Sequence, residues 1–184
     1  VTVDDVIDHM LPENWRDEEP SDENPHVWPR DRGDQKAMRD FYGKPGSPPI
    51  TRVRCPWQLR LAWDKSEIIT HVGVHAKVAG SVGDVFEKVH AHYGSAELKR
   101  LRLDRYGGCF FKRKKRGGST WSTHAWAIAL DGDPERNQLK WGRDRASLDH
   151  KDYDFWWHTW EGQGWVSLGR SRNFDWMHVQ AARI

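Results

Sequence analysis

A chain of 184 residues with a formal net charge of +2 predicts one domain, with or without an appendage, and a bulk charge that argues neither for nor against a polyanionic partner. Apolar residues make up only 37%, but the chain has 12 Trp, and each buries enough area for a core poor in aliphatics. Two cysteines are too few for a disulfide scaffold, no apolar run reaches the ~20 residues of a membrane span, and Val1-Thr-Val-Asp-Asp lacks the basic and apolar regions of a signal peptide. The expectation is a monomer made in the cytoplasm without a signal peptide. Whether Cys55 and Cys109 pair is left open.

Residues 1–49 are rich in Pro and acids, as in Leu11-Pro-Glu-Asn-Trp-Arg-Asp-Glu-Glu-Pro and Lys44-Pro-Gly-Ser-Pro-Pro49. Pro and Gly at this density break regular structure. The segment reads as an irregular arm with a short helix near Asp34–Tyr42, anchored to the domain surface by Trp15, Trp28, Phe41 and Tyr42. Residues 50–184 read as the domain proper.

Gln58–Trp63 alternates polar and apolar residues and predicts a strand, and the β-branched stretch Ile68–Val78 predicts another. His71 and His75 share one face of it at period two, as a metal pair or as two half-exposed histidines. Val82, Val85, Phe86 and Val89 recur at helical spacing, with Ser81 as the N-cap and Gly94 as an end or kink. Ala96–Leu103 fits a strand or a second short turn. Tyr106-Gly-Gly-Cys109 predicts a bend, followed by a basic extended piece over Phe110–Arg116.

Trp126–Leu130 predicts a short buried strand, and Gly132–Asn137 a loop. Tyr153, Trp156, Trp157 and Trp160 predict a second helix. Trp176–Ala181 predicts a terminal strand. Strands and helices do not alternate strictly, so the fold class is α+β, a small mainly antiparallel sheet with flanking helices.

Two stretches stand out chemically, Ser122-Thr-His124-Ala-Trp-Ala-Ile-Ala-Leu-Asp131 and Asp175-Trp-Met-His178. They supply two imidazoles and two carboxylates, enough for three zinc ligands with an open position and a base beside them. His124 and Asp131 are an odd number of residues apart, so a straight strand sends them to opposite faces. Meeting at one metal requires a turn around His124–Trp126, with Asp131 at the far end of the strand. Asp175 and His178 also have odd spacing, which puts Asp175 on the approach to the strand that carries His178. Spacing alone does not single out these four among ten histidines and 27 acids.

The first stretch resembles the Ser-x-His-x-x-Gly-x-Ala-x-Asp signature of the zinc-dependent D-alanyl-D-alanine carboxypeptidase family, which includes VanX- and VanY-type peptidases and phage L-alanyl-D-glutamate endopeptidases. Ser122, His124, Ala129 and Asp131 match in register. Asp175-Trp-Met-His178-Val-Gln180 is similar to the family's second motif, and Gly108–Gly117 to the basic segment before the first motif in phage members. Ala127 stands where the family has Gly, and an Ala there is tolerable if its φ is negative.

The resemblance implies the small α+β fold of hedgehog/D,D-peptidase type. It implies a peptidoglycan peptidase that cuts a stem-peptide bond of L-Ala-D-Glu or D-Ala-D-Ala type, in a phage or prophage lytic enzyme that reaches the wall at lysis or as a virion component. His124, Asp131 and His178 are then the Zn2+ ligands. Asp175 is the general base, taking a proton from water and passing it to the leaving amine. A cation for the developing negative charge falls to Arg113 first and Arg116 second.

The run Lys112–Arg116 also reads as a solvated or electrostatic loop, and as a nucleic-acid patch it has nothing else in its favour. Ser122 is expected to order the His124 loop. Gln180 and Trp176 are expected beside the ligands or the pocket, and Trp126 in packing or along a substrate groove. A non-catalytic wall-binding or virion component that keeps the fold is the rival reading.

Overall fold

The computed structural model describes residues 26–184. Trp15 and the rest of residues 1–25 lie outside that range. Helix α1 (Lys36–Tyr42) begins after Gln35 and stops at Gly43, whose φ of 85° is cheap only for glycine. It buries Met38 and Tyr42, which are one turn apart. The Tyr42 hydroxyl donates to the Ala181 carbonyl at 2.7 Å, the Trp28 indole donates to Gln163 O at 3.0 Å, and Arg30 bridges to Arg183. Trp28 and Tyr42 are therefore part of the core, while Phe41 is 37% exposed.

Strand β1 (Ile50–Leu61) starts at Ile50, well before the alternation at Gln58, because Val53, Cys55, Trp57 and Leu59 already alternate into the core. Pro56 falls where the pairing with β2 (Ile68–His75) shifts between Arg54 and Leu59, a place where a missing N–H is tolerated. Trp63 lies beyond the strand. A 3-10 turn at Ala76–Val78 ends β2 early and leads into α2 (Ala79–Arg100), which is kinked at Gly94. Val82, Val85, Phe86 and Val89 are buried along α2, as their spacing predicts.

Ser81 sits inside that helix, not at its cap. Its hydroxyl donates to Gln163 Oε1 at 3.0 Å and accepts from the Trp165 indole at 2.9 Å. Beyond the kink the chain stays helical to Arg100, so most of Ala96–Leu103 is helix and not the expected strand or short turn.

The predicted bend at Tyr106–Cys109 is largely strand β3 (Arg105–Gly108). The chain continues into β4 (Ala129–Gly132), α3 (Asp154–Glu161), β5 (Val166–Ser167), α4 (Leu168–Arg172) and β6 (His178–Gln180). The sheet order is β2-β1-β3-β4-β6-β5, and every neighbouring pair except β1–β3 is antiparallel. Helix α2 packs on β1 and α3 packs on α2, giving an α+β fold with helices against a mostly antiparallel sheet.

Indoles hold the core in register. Trp57 donates to Leu103 O, Trp126 to Gly43 O and Trp157 to Leu148 O, at 2.8–3.2 Å. A buried N–H left unpaired costs ~1–3 kcal/mol, so each of these bonds selects one ring orientation. Trp160 Nε1 is the exception, buried without a partner. Cys55 and Cys109 are both buried and free. No helix of the described residues is long and apolar enough to cross a membrane.

One contact ties this packing to the motif residues. A Cβ added at Gly169 would lie 2.3 Å from Trp176 Cδ2 and 2.5 Å from its Cε3. Trp176 is 2% exposed and packs edge-on to Trp157, so its ring has no room to retreat. Gly169→Ala is expected to cost about 3 kcal/mol through overpacking and to lower Tm by roughly 6–12 °C. Thermal unfolding measures this, and an unchanged Tm would mean that the Trp176 contact is soft.

Candidate metal centre

The pairing of β4 with β6 sets Asp131 directly opposite His178. His124 reaches them from a 3-10 turn, Thr123–Trp126, that precedes β4. Ser122 starts this turn by accepting a hydrogen bond from His124 N at 3.4 Å, the ordering role expected of it. The turn resolves the parity conflict, since His124 lies before the strand and Asp131 within it. Asp175 precedes β6, and its own φ of 52° turns the chain into the strand.

Ala127 closes the 3-10 turn with φ 55° and ψ 42°, so the condition of a negative φ is not met. The left-handed conformation costs an L-residue about 1–2 kcal/mol, which explains physically why a glycine suits this place in the motif. Two hydrogen bonds hold Ala127 there, from its N–H to His124 O at 3.0 Å and from His75 N–H to its carbonyl at 2.8 Å.

Hydrogen bonds on the far sides of both rings orient the ligand atoms. His124 Nδ1 lies 2.8 Å from the Cys109 carbonyl, a pure acceptor, so Nδ1 carries the proton and Nε2 presents a lone pair. Gln180 spends its amide N–H on Ala182 O at 3.1 Å, so its Oε1 accepts from His178 Nε2 at 2.9 Å. His178 Nδ1 is then the free lone pair. Both imidazole lone pairs face Asp131 Oδ1, each at 3.3 Å.

The three groups offer ligand atoms within 4.8 Å of one another, and Asp131 Oδ1 is buried without a hydrogen-bond partner. Three converging acceptors with no donor among them call for a cation. The ionisation shifts show the same demand for positive charge, which an imidazolium proton meets where no cation is bound. Burial pushes the Asp131 carboxyl up, but His124 and His178 outweigh it and hold the group well below the usual carboxylate range. Burial pushes the His178 imidazole down, but Asp131, Asp175 and Gln180 outweigh it and raise it. The described residues therefore form a site able to hold a metal ion.

Asp175 Oδ2 lies 3.9 Å from His178 Nδ1, at the edge of the triad. Its carboxyl is raised, mainly by burial and then by the Asp131 charge, against the pull of His178, His124 and Arg113. Arg113 thus lies within electrostatic reach of Asp175. Its backbone starts a hairpin with Ser122, and Lys114 bridges to Trp121. Arg116 is exposed at the hairpin tip and makes no hydrogen bond or ion pair with the triad among the described residues.

The rest of the basic run is partly committed to packing. Lys115 pairs with Asp31 at 2.7 Å, and Lys114 lies 3.9 Å over the Trp121 ring.

Other sequence candidates have different places. His75 is 1% exposed, with Nε2 on Tyr42 O and Nδ1 accepting from Lys77 N, so both nitrogens are spent. His71 bonds Thr70, and the two do not form a metal pair. Trp126 is fully buried and lines no groove; its role is packing. Trp176 is also buried, and its indole donates to Asn173 Oδ1 at 3.1 Å. Its edge lines a polar groove of about 560 Å³ whose lining includes none of the three ligands.

Sequence reasoning missed Thr123, whose hydroxyl lies 3.3 Å from His178 Nε2, and the Cys109 carbonyl. It also missed the task of the Gly107-Gly108 pair. A Cβ on Gly107 would meet Asp131 Cβ at 2.9 Å, and one on Gly108, at φ 104°, would meet Phe111 Cζ at 2.5 Å. The adjacent glycines were the available signal.

Because Gln180 fixes which nitrogen of His178 carries the proton, its loss should weaken metal binding. Gln180→Leu is expected to raise the Kd for a metal ion, with Zn2+ as the probe, about 10–100-fold, while Gln180→Glu stays close to the parent. Competitive titration against a chromogenic chelator measures this, and an unaltered Kd for Gln180→Leu would remove Gln180 from the site.

No protein-family model, curated protein or solved structure matches the chain.

Proposed function

We propose that the protein is a zinc-dependent peptidase that cuts a stem-peptide bond in bacterial peptidoglycan, of L-Ala-D-Glu or D-Ala-D-Ala type. We further propose that its sheet and helices belong to the hedgehog/D,D-peptidase type, and that it serves a phage or prophage as a lytic enzyme. The observation that carries the reading is the buried His124–Asp131–His178 set with Asp175 at its edge, on two motifs that resemble the zinc D-alanyl-D-alanine carboxypeptidases in residue and order.

Two imidazoles and one carboxylate are a donor set that suits zinc and leaves room for a fourth ligand. When bound, zinc supplies Lewis acidity, which polarises a carbonyl and acidifies water. Asp175 accepts the proton of the attacking water and returns it to the departing amine. Arg113 places a guanidinium near the negative charge that develops on the carbonyl oxygen. Cys109 O, Gln180 and Thr123 keep both imidazoles aimed throughout.

The test is digestion of purified peptidoglycan by the zinc-loaded full chain, with mass spectrometry of the fragments. New amino and carboxyl termini at one stem-peptide bond are expected, and chelation should abolish them until zinc is restored. Intact stem peptides after digestion with zinc present would overturn the reading. Wall binding without cleavage would point to a structural wall-binding role in its place.

A further inference from the structure

Among the described residues, Trp63 is 63% exposed, while eight other tryptophans are buried and Trp121 and Trp141 pack against the core. A single exposed indole is common, and it is the position of this one that sets it apart. Trp63 follows β1, and its neighbour Ala62 donates its N–H to Tyr106 O in β3 at 2.9 Å. The Trp63 ring comes within 3.5 Å of the space above Gly108, and Phe111 fills the rest of that space. Gly108 is the register partner of Asp131, and the Phe111 ring stands edge-on to His124 with centroids 5.3 Å apart. The exposed indole and the metal triad are thus separated by one bare glycine and one phenyl ring.

The surroundings of Trp63 define the kind of ligand. Asp64, Lys65, Ser66 and Glu67 follow it and are all exposed, and Lys65 pairs with Glu135 at 3.3 Å. A flat apolar face among hydroxyl, carboxylate and ammonium groups matches a ring that is C–H on its face and hydroxylated on its rim. Ser66 already bonds Asp64 and Lys65 already pairs with Glu135, yet the carboxylates and the ammonium keep further acceptor and donor capacity that a hydroxylated rim can use and an aliphatic side chain cannot.

We infer that Trp63 is a stacking platform for a pyranose ring of the glycan strand that carries the scissile stem peptide. This rests on the peptidoglycan reading above. It makes Trp63 a specificity residue that favours intact wall over free peptide.

Two measurements on the full chain test it. In the first, binding of soluble glycan strands stripped of their stem peptides is measured by calorimetry. Trp63→Ala is expected to bind about tenfold more weakly than the parent, with Trp63→Phe in between. In the second, kcat/KM should fall about tenfold for Trp63→Ala on intact sacculi and change less than about twofold on a free stem peptide.

Equal losses on both substrates, or stripped strands that the parent binds no better than Trp63→Ala, would overturn the inference. Stripped strands bound through Trp63 by a protein that cuts nothing would keep the inference and remove the peptidase.

Discussion

Zinc added to the metal-free protein should raise its Tm by roughly 10 °C at a thousandfold excess over Kd, and Asp131→Asn should remove that rise. A ligand that binds only the folded state at this excess contributes about 4 kcal/mol, and for a chain of this size each kcal/mol is about 2–4 °C. The carboxylate is the only charged ligand of the three, and its Oδ1 faces both imidazole lone pairs. An Asn amide turned inward gives those lone pairs a donor. The metal-free variant should therefore melt within a few degrees of the parent, or above it. This pattern separates loss of metal from loss of fold. Differential scanning calorimetry with and without zinc reads it, and an undiminished zinc shift in Asp131→Asn would exclude Asp131 as a ligand.

Asp175→Asn should keep the zinc shift and lose hydrolysis by about 10³-fold. General acid–base catalysis is typically worth 10²–10⁴-fold, and Asn can neither take nor return the proton. Asn is the variant of choice because the backbone at 175 is left-handed, with φ 52°, a conformation that Asn and Asp tolerate better than Ala. Asp175→Ala would add backbone strain next to His178 and blur the result. Steady-state hydrolysis beside the zinc-dependent Tm shift provides both readouts. Hydrolysis within tenfold of the parent would take Asp175 out of the base role.

Much of the scaffold was legible because periodicity records burial. Val82, Val85, Phe86 and Val89, and then Tyr153, Trp156, Trp157 and Trp160, are buried where their spacing predicts. Elements with mixed signals are harder to read. Arg52, Arg54 and Pro56 on the outer side of β1 masked an alternation that starts at Val53. The Gly-Gly of β3 looks like a bend because sequence does not reveal that Asp131 packs against the bare backbone. Ser81 matches a cap by type, but two partners far along the chain, Gln163 and Trp165, draw it inside the helix.

Within the site, the residue types able to bind a metal and one geometric condition, that the chain must turn between His124 and Asp131, are legible in the chain, while the choice of these residues among ten histidines and 27 acids came from the resemblance. It also marked position 127 as the place where the motif departs from its pattern. That the turn is a 3-10 helix closed by a left-handed Ala127 is set by the fold, because φ depends on what holds the residue and not on its identity alone. Only the fold brought Asp131 opposite His178, since β4 and β6 are far apart in sequence and meet through long-range strand pairing. The proton positions on both imidazoles are likewise tertiary, set by the Cys109 carbonyl and the Gln180 amide, because the hydrogen bond on one ring nitrogen leaves the other free for a metal.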